Sequence, residues 1–213
     1  MIERIEQLLR NNEAFVAEKL RQDAQYFTKL AEGQHPEFLW IGCSESRVPP
    51  DRITGADPGH IFVHRNIANL VVQTDMNLLS VLQYAVEVLK VEHVIVCGHY
   101  GCGGVKAAMA NEHLGLIDNW LRTIKDTQDY FQPQLAPLDA ASRFRRLVEL
   151  NVIEQVYNLG KTDIVQDAWR SGLRPYIHGW VFDPATGRIR PQTSMISGDE
   201  AIRAVCKFQR AAR

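Results

Sequence analysis

Four short apolar runs, each closed by turn residues, constrain the fold of this chain more than any other feature. They are Phe38-Leu-Trp-Ile41, Ile61-Phe-Val63, Val94-Ile-Val-Cys97 and the stretch Tyr176-Ile-His-Gly-Trp-Val-Phe182. Consecutive apolar residues over so few positions suit strands buried on both faces, as in a parallel sheet. Between the runs the spacing becomes helical. Thr74 or Asp75 can cap a helix whose apolar positions Leu78, Leu79, Leu82, Ala85, Val86 and Leu89 follow a period near 3.6, and a second long helix is expected from Leu138 to Leu159, stopping at Gly160. Strands alternating with helices predict an α/β fold, with a mainly parallel central sheet flanked by helices.

The first 32 residues read differently. Ile2, Ile5, Leu8, Leu9, Phe15, Val16 and Leu20 recur among charges up to Gly33, ahead of Pro36. This predicts an N-terminal amphipathic helical arm over residues 1–33, with Asn11-Asn12 as the place where it can divide, followed by an α/β core over 36–213. No linker-like composition, internal repeat or low-complexity tract separates further domains, so residues 1–213 are expected to act as one. Asp126 to Pro137, with two prolines and little periodicity, is expected to be a surface loop.

Charge and cysteine content exclude several functions. Twenty-four Lys and Arg against 25 Asp and Glu leave a net charge of −1, so no basic field exists to gather nucleic acid or an anionic membrane. The start of the chain mixes both charge signs from its third residue, unlike an export signal, and the most apolar long segment, Leu78 to Val91, is interrupted by Ser80, Gln83, Glu87 and Lys90. A cytoplasmic location, where thiols stay reduced, is the expectation. Four cysteines, at 43, 97, 102 and 206, are too few and too scattered for a disulfide framework. Thiolate or metal chemistry becomes the better question.

Two clusters answer it: Gly42-Cys43-Ser44-Glu45-Ser46-Arg47-Val48-Pro49 and Cys97-Gly98-His99-Tyr100-Gly101-Cys102-Gly103-Gly104. His99 and Cys102, three residues apart in a glycine-rich turn after a strand, can reach one metal, and Cys43 adds a second sulfur. One imidazole and two thiolates suit Zn²⁺ better than a hard cation, and three protein ligands leave a position for water or substrate. The glycine run has no G-K-[ST] ending and is not expected to cradle phosphate; its glycines are read as letting the backbone close on the metal. Cys97 and Cys206 are expected to be packing residues.

The pair C-S-x-S-R-V-P and C-G-H-x-x-C-G-G closely resembles the β-class carbonic anhydrases. The resemblance extends through His64-Arg65-Asn66-Ile67-Ala68-Asn69, Gln83-Tyr84-Ala85 and His178-Gly179-Trp180. It implies a lyase that reversibly hydrates CO₂ to bicarbonate and a proton by zinc-bound hydroxide, with one Zn²⁺ per subunit on Cys43, His99 and Cys102. It also implies a helical arm wrapped over a second copy in a dimer or tetramer. Arg47 corresponds to the arginine of the family's carboxylate–arginine pair. Glu45 stands where the family has Asp, a residue that either pairs with that arginine or becomes the fourth zinc ligand. A subclass binds bicarbonate at a regulatory pocket through Trp, Arg and Tyr; Trp40 and Arg65 match the first two, while the Tyr position is Phe182.

Several plainer readings stand beside these. Trp40 can be core, Glu45 and Arg47 a surface ion pair, and the arm can lie on its own subunit. The histidines at 35, 60, 64, 93, 113 and 178 are expected to be exposed or structurally bonded. Carbonyl sulfide hydrolysis at the same centre, or a closed non-catalytic site with Glu45 as fourth ligand, are the alternative functions. Two thiolates would cancel the formal charge of zinc, so its water should be less acidic than on three histidines, with activity rising toward mildly alkaline pH.

Overall fold

The structure is a computed structural model that describes residues 2–110, 112–172 and 174–208. The chain divides into two compact units, Met1–His35 and Pro36–Arg213. In the first, helix α1 (Ile2–Gln22) runs unbroken through Asn11 and Asn12, and α2 (Tyr26–Ala31) follows. The division expected at the asparagine pair falls instead at Asp23. Its carboxylate accepts the Gln25 N–H at 2.9 Å and pairs with Lys29 at 2.7 Å, local bonds that compete with continued helix. No residue of α1 is buried, and Ile2, Ile5, Leu8 and Leu9 stand 61–76% exposed.

In the second unit, β1 (Phe38–Cys43) leads into a short helix α3 (Pro50–Thr54), and β2 (Ile61–Asn66) ends in a tight turn at Ile67–Asn69. Asp75 caps α4 (Met76–Gln83), accepting the N–H groups of Asn77 and Leu78. Past Gln83 the winding widens to an i→i+5 turn over Tyr84–Val88, a departure from the regular helix expected through Leu89. Strand β3 (His93–His99) follows, then α5 (Gly103–Met109), α6 (Ile117–Tyr130), α7 (Gln132–Leu135), α8 (Ala140–Gly160) and α9 (Asp163–Arg170). The unit closes with β4 (Tyr176–Asp183) and β5 (Arg188–Pro191).

Residues 126–137, expected to be a loop, are largely helical. Leu121, Ile124 and Thr127 bury one face of α6, and Pro133 sits in the first turn of α7, where its missing N–H breaks no helical bond. The long helix begins at Ala140, not Leu138, because Asp139 caps it.

The four predicted strands pair in parallel in the order β2-β1-β3-β4, and β5 adds an antiparallel edge. One face of the sheet, carrying Leu39, Ile41, Val94, Val96, Ile177 and Val181, packs in the main core with residues of α4, α5, α6 and α8. The alternate residues Trp40, Ile95, Cys97 and Phe182 form a smaller cluster with Val48 on the opposite face. Both faces of β1 are therefore buried, the reason its sequence is continuously apolar. From β1 the chain pairs to one side with β2 and to the other with β3. The crevice beyond their carboxyl ends is where sheets of this topology place ligands.

Candidate metal centre

Cys43 is the last residue of β1 and His99 the last of β3, so neighbouring strands deliver two ligands to that crevice. Gly101, with φ +75°, turns the chain back, and Cys102 follows at the N-terminus of α5. The three ligand atoms lie within 4.8 Å of one another, the two sulfurs 3.8 Å apart, and all three residues are buried. The His99 Nδ1 lies 3.1 Å from the carbonyl oxygen of Tyr100, which assigns its proton to Nδ1 and leaves Nε2 bare. That Nε2 is buried with no hydrogen-bond partner, a state that costs about 1–3 kcal/mol unless something satisfies it. A soft divalent cation would do so, and two sulfurs with one imidazole fit the donor set of zinc.

The two thiols differ in proton affinity. The two sulfurs lie within hydrogen-bond distance, and the proton shared between them sets Cys102 below the ordinary thiol range, against the cost of burial, and Cys43 above it. Cys43 Sγ also accepts the Ala68 N–H at 3.3 Å. Ala68 has φ +65°, the left-handed region that a residue with a Cβ resists. Nothing in the sequence marked Ala68 as a contact of the centre; its role depends on a backbone angle.

Glu45 and Arg47 lie beside the three ligands. The guanidinium donates from Nε to Oε1 and from Nη2 to Oε2, both at 2.8 Å, and the Arg47 N–H adds 3.1 Å to Oε1. This fork holds the Glu45 carboxyl down at about 2, overcoming its partial burial. Oε2 lies 3.7 Å from His99 Nε2. The longer glutamate thus faces the ligand position while its oxygens are committed to Arg47. Arg65, on β2, donates to the carbonyls of Glu45 (3.0 Å) and Val48, bracing the turn that carries the pair. Trp40 and Phe182 share the smaller cluster with Val48 and Cys97, so Trp40, Arg65 and Phe182 converge on the Glu45–Val48 turn.

The remaining expectations separate. Cys97 is buried, whereas Cys206 is only half-buried. His93 and His178 hydrogen-bond to each other at 3.0 Å, His64 is buried, and His35 and His60 are exposed. The glycines around His99 have two functions rather than one. Gly101 supplies the positive φ, but a Cβ on Gly98 would meet Val152 at 2.7 Å and one on Gly104 would meet Ile67 at 2.8 Å, so these two supply space.

The sequence pattern of the carbonic anhydrase family matches residues 38–189. The carbonic anhydrase of Emericella nidulans is 47% identical over 186 residues, which cover 87% of this chain and 82% of that protein. Among solved structures, the Coccomyxa β-carbonic anhydrase in complex with acetazolamide superposes with a TM-score of 0.89 at 38% identity, covering 94% of this chain and 93% of that one. One of two tetrameric β-carbonic anhydrases from Sordaria macrospora gives 0.86 at 38% identity over 91% of this chain and 99% of its own.

Proposed function

This chain belongs to the β-class carbonic anhydrases, lyases that hydrate CO₂, and from that premise we propose that it interconverts CO₂ and bicarbonate with one zinc per subunit on Cys43, His99 and Cys102. The observation that carries the ligand assignment is the bare, buried Nε2 of His99 facing two sulfurs, its other nitrogen committed to a backbone carbonyl. Zinc bound there supplies a Lewis acid that acidifies water, the nucleophile CO₂ hydration requires.

The side chains around it divide the remaining work. Cys43 and Cys102 would hold the ion through two thiolates that together cancel its formal charge. Arg47 occupies both oxygens of Glu45 and so keeps the carboxylate from taking the position water needs. Glu45 Oε2, ionised and closest to His99 Nε2, is placed to accept a hydrogen bond from a group at that position and hold its orientation. The bidentate pair favours this open arrangement over permanent ligation by Glu45.

The decisive experiment is stopped-flow CO₂ hydration against pH, with zinc measured on the same sample and Glu45→Asp run alongside. The expected result is one zinc per chain and turnover that rises from neutral toward mildly alkaline pH. One zinc per chain without turnover at any pH would support the closed site instead, and H₂S release from carbonyl sulfide at a rate comparable with CO₂ hydration would favour the heterocumulene hydrolase. Self-association belongs to the same proposal: the exposed apolar residues of α1 need a surface to cover, and the Sordaria relatives are tetrameric. Deleting residues 1–30 should lower the oligomer mass seen by light scattering; an unchanged mass would refute exchange of the arm.

A further inference from the structure

Helix α8 is apolar where it meets the sheet, yet it buries Asn151 and Gln155 to 1% and 0% exposure in the same contact. Burying two amides is costly unless each finds partners. Here every partner lies along one ladder aimed at the turn after β2. Asn151 Nδ2 donates to the Ala68 carbonyl at 3.1 Å and Asn151 Oδ1 accepts from Gln155 Nε2 at 3.1 Å. Gln155 Oε1 accepts the Val71 N–H at 2.8 Å and an Asn158 N–H at 3.2 Å. Trp120 of α6 holds the same turn from the other side, donating to the Ile67 carbonyl at 2.8 Å.

The turn so held contains two consecutive left-handed residues that are not glycine, Ala68 at φ +65° and Asn69 at φ +51°. Asparagine tolerates this region, but at Ala68 the angle costs about 1–3 kcal/mol and persists only where surrounding bonds over-determine it. At Ala68 the strained peptide has a particular outcome: its N–H points at Cys43 Sγ while its carbonyl is the group Asn151 grips.

We propose that Asn151, keyed by Gln155, is a positioning residue of the metal centre: it holds Ala68 in the left-handed conformation whose N–H bonds and orients the Cys43 thiolate. The inference rests on Cys43 being a metal ligand and extends that reading to a helix that supplies none of the three ligands. Partners outside the ligand set typically change metal affinity by about 10–100-fold when removed. A hydrogen bond to sulfur also lowers the energy of its lone pairs, so its loss should shift sulfur-to-metal charge transfer to longer wavelength.

The test uses the full-length protein loaded with Co²⁺ in place of zinc. Asn151→Leu should weaken Co²⁺ affinity about tenfold or more and red-shift the near-ultraviolet sulfur-to-cobalt band. Adding Ala68→Gly should return the band toward its original position, because glycine adopts the left-handed conformation without being held. Val165→Ala, a buried truncation on α9, controls for lost thermal stability and should leave the band in place. Asn151→Ser, which is smaller and too short to reach Ala68, tests the same bond if the leucine variant does not fold. An unmoved band and unchanged affinity in the Asn151 variants, or an equal shift in Val165→Ala, would overturn the proposal. Failure of the unaltered protein to show a sulfur-to-cobalt band at all would instead overturn the metal-centre reading.

Discussion

Gly98 sits between the packing residue Cys97 and the proposed ligand His99, in extended backbone that any residue adopts, so its substitution tests packing without backbone strain. A Cβ placed there comes within 2.7 Å of Val152 Cγ2 and 3.3 Å of Asn69 Oδ1. Carbon atoms pack at about 3.5–4.0 Å, so the methyl of Gly98→Ala overlaps Val152 by about 1 Å. Val152 cannot swing aside, being fully buried on α8 and β-branched, with one favoured rotamer in a helix. The cost of such overpacking is about 1–3 kcal/mol. At about 2–4 °C per kcal/mol for a chain of this size, Tm should fall by about 2–12 °C. Val152→Ala alone should also destabilise, since two lost methyl groups remove about 1.6 kcal/mol of burial before any cavity cost. In Gly98→Ala/Val152→Ala the new methyl occupies the vacated volume, so the double variant should be more stable than additivity predicts by at least about 1 kcal/mol. Calorimetry of the zinc-loaded proteins at one fixed concentration reads this directly. Strict additivity, or a Gly98→Ala protein as stable as the original, would falsify the steric account of this glycine.

Three further outcomes follow from the geometry. Arg47→Leu removes the fork that holds both Glu45 oxygens, and stopped-flow assays should show CO₂ hydration reduced several-fold with zinc still at one per chain; unchanged turnover would mean the pair is only a surface contact. Burial holds His64 below the ordinary histidine range, and burial with the neighbouring His93 does the same for His178. The unfolded chain therefore takes up these protons first, so stability is full above about pH 6.5 and declines as pH falls below it. Thermal melts from pH 7 to pH 5 should show the decline, and His64→Gln should flatten it. Stripping zinc with a chelator should lower Tm, because an ion that binds only the folded state stabilises it by mass action. Cys102→Ser should lose the ion, and one zinc per chain in that variant would place the metal elsewhere.

The legible parts of the fold were those in which local pattern and tertiary environment agree. Strands β1 and β3 carry continuous apolar runs because the sheet buries both their faces, whereas β2 lies at an edge and leaves Val63 exposed; Asp75 announces its helix because the cap is a local bond between neighbours. Strand β5 left no such signal: Arg188–Pro191 holds one apolar residue and pairs at an edge, where a strand needs only a partner's hydrogen bonds. Residues 126–137 were obscured by two prolines that one short helix accommodates, Pro133 in the first turn of α7 and Pro137 just past its end. The break in the arm followed an aspartate whose side chain bonds the backbone two residues on, a weaker cue than the paired asparagines that the helix absorbed.

At the metal centre the division is sharper. Residue chemistry and a three-residue spacing were enough to nominate His99 and Cys102, since ligand type is a property of the side chain and the turn between them is local. Cys43 lies 59 residues before Cys102, and only parallel pairing of β1 with β3 puts their sulfurs 3.8 Å apart. The tautomer of His99, the commitment of Glu45 to Arg47 and the Ala68 N–H on Cys43 likewise depend on where carbonyls, guanidinium and a left-handed peptide lie in space. Sequence determined which atoms could bind a metal, because that is written in the side chains themselves. Tertiary structure decided which of them meet, how each is oriented and whether the carboxylate stands aside, because hydrogen bonds are short-ranged and directional and exist only once the chain has brought their partners together.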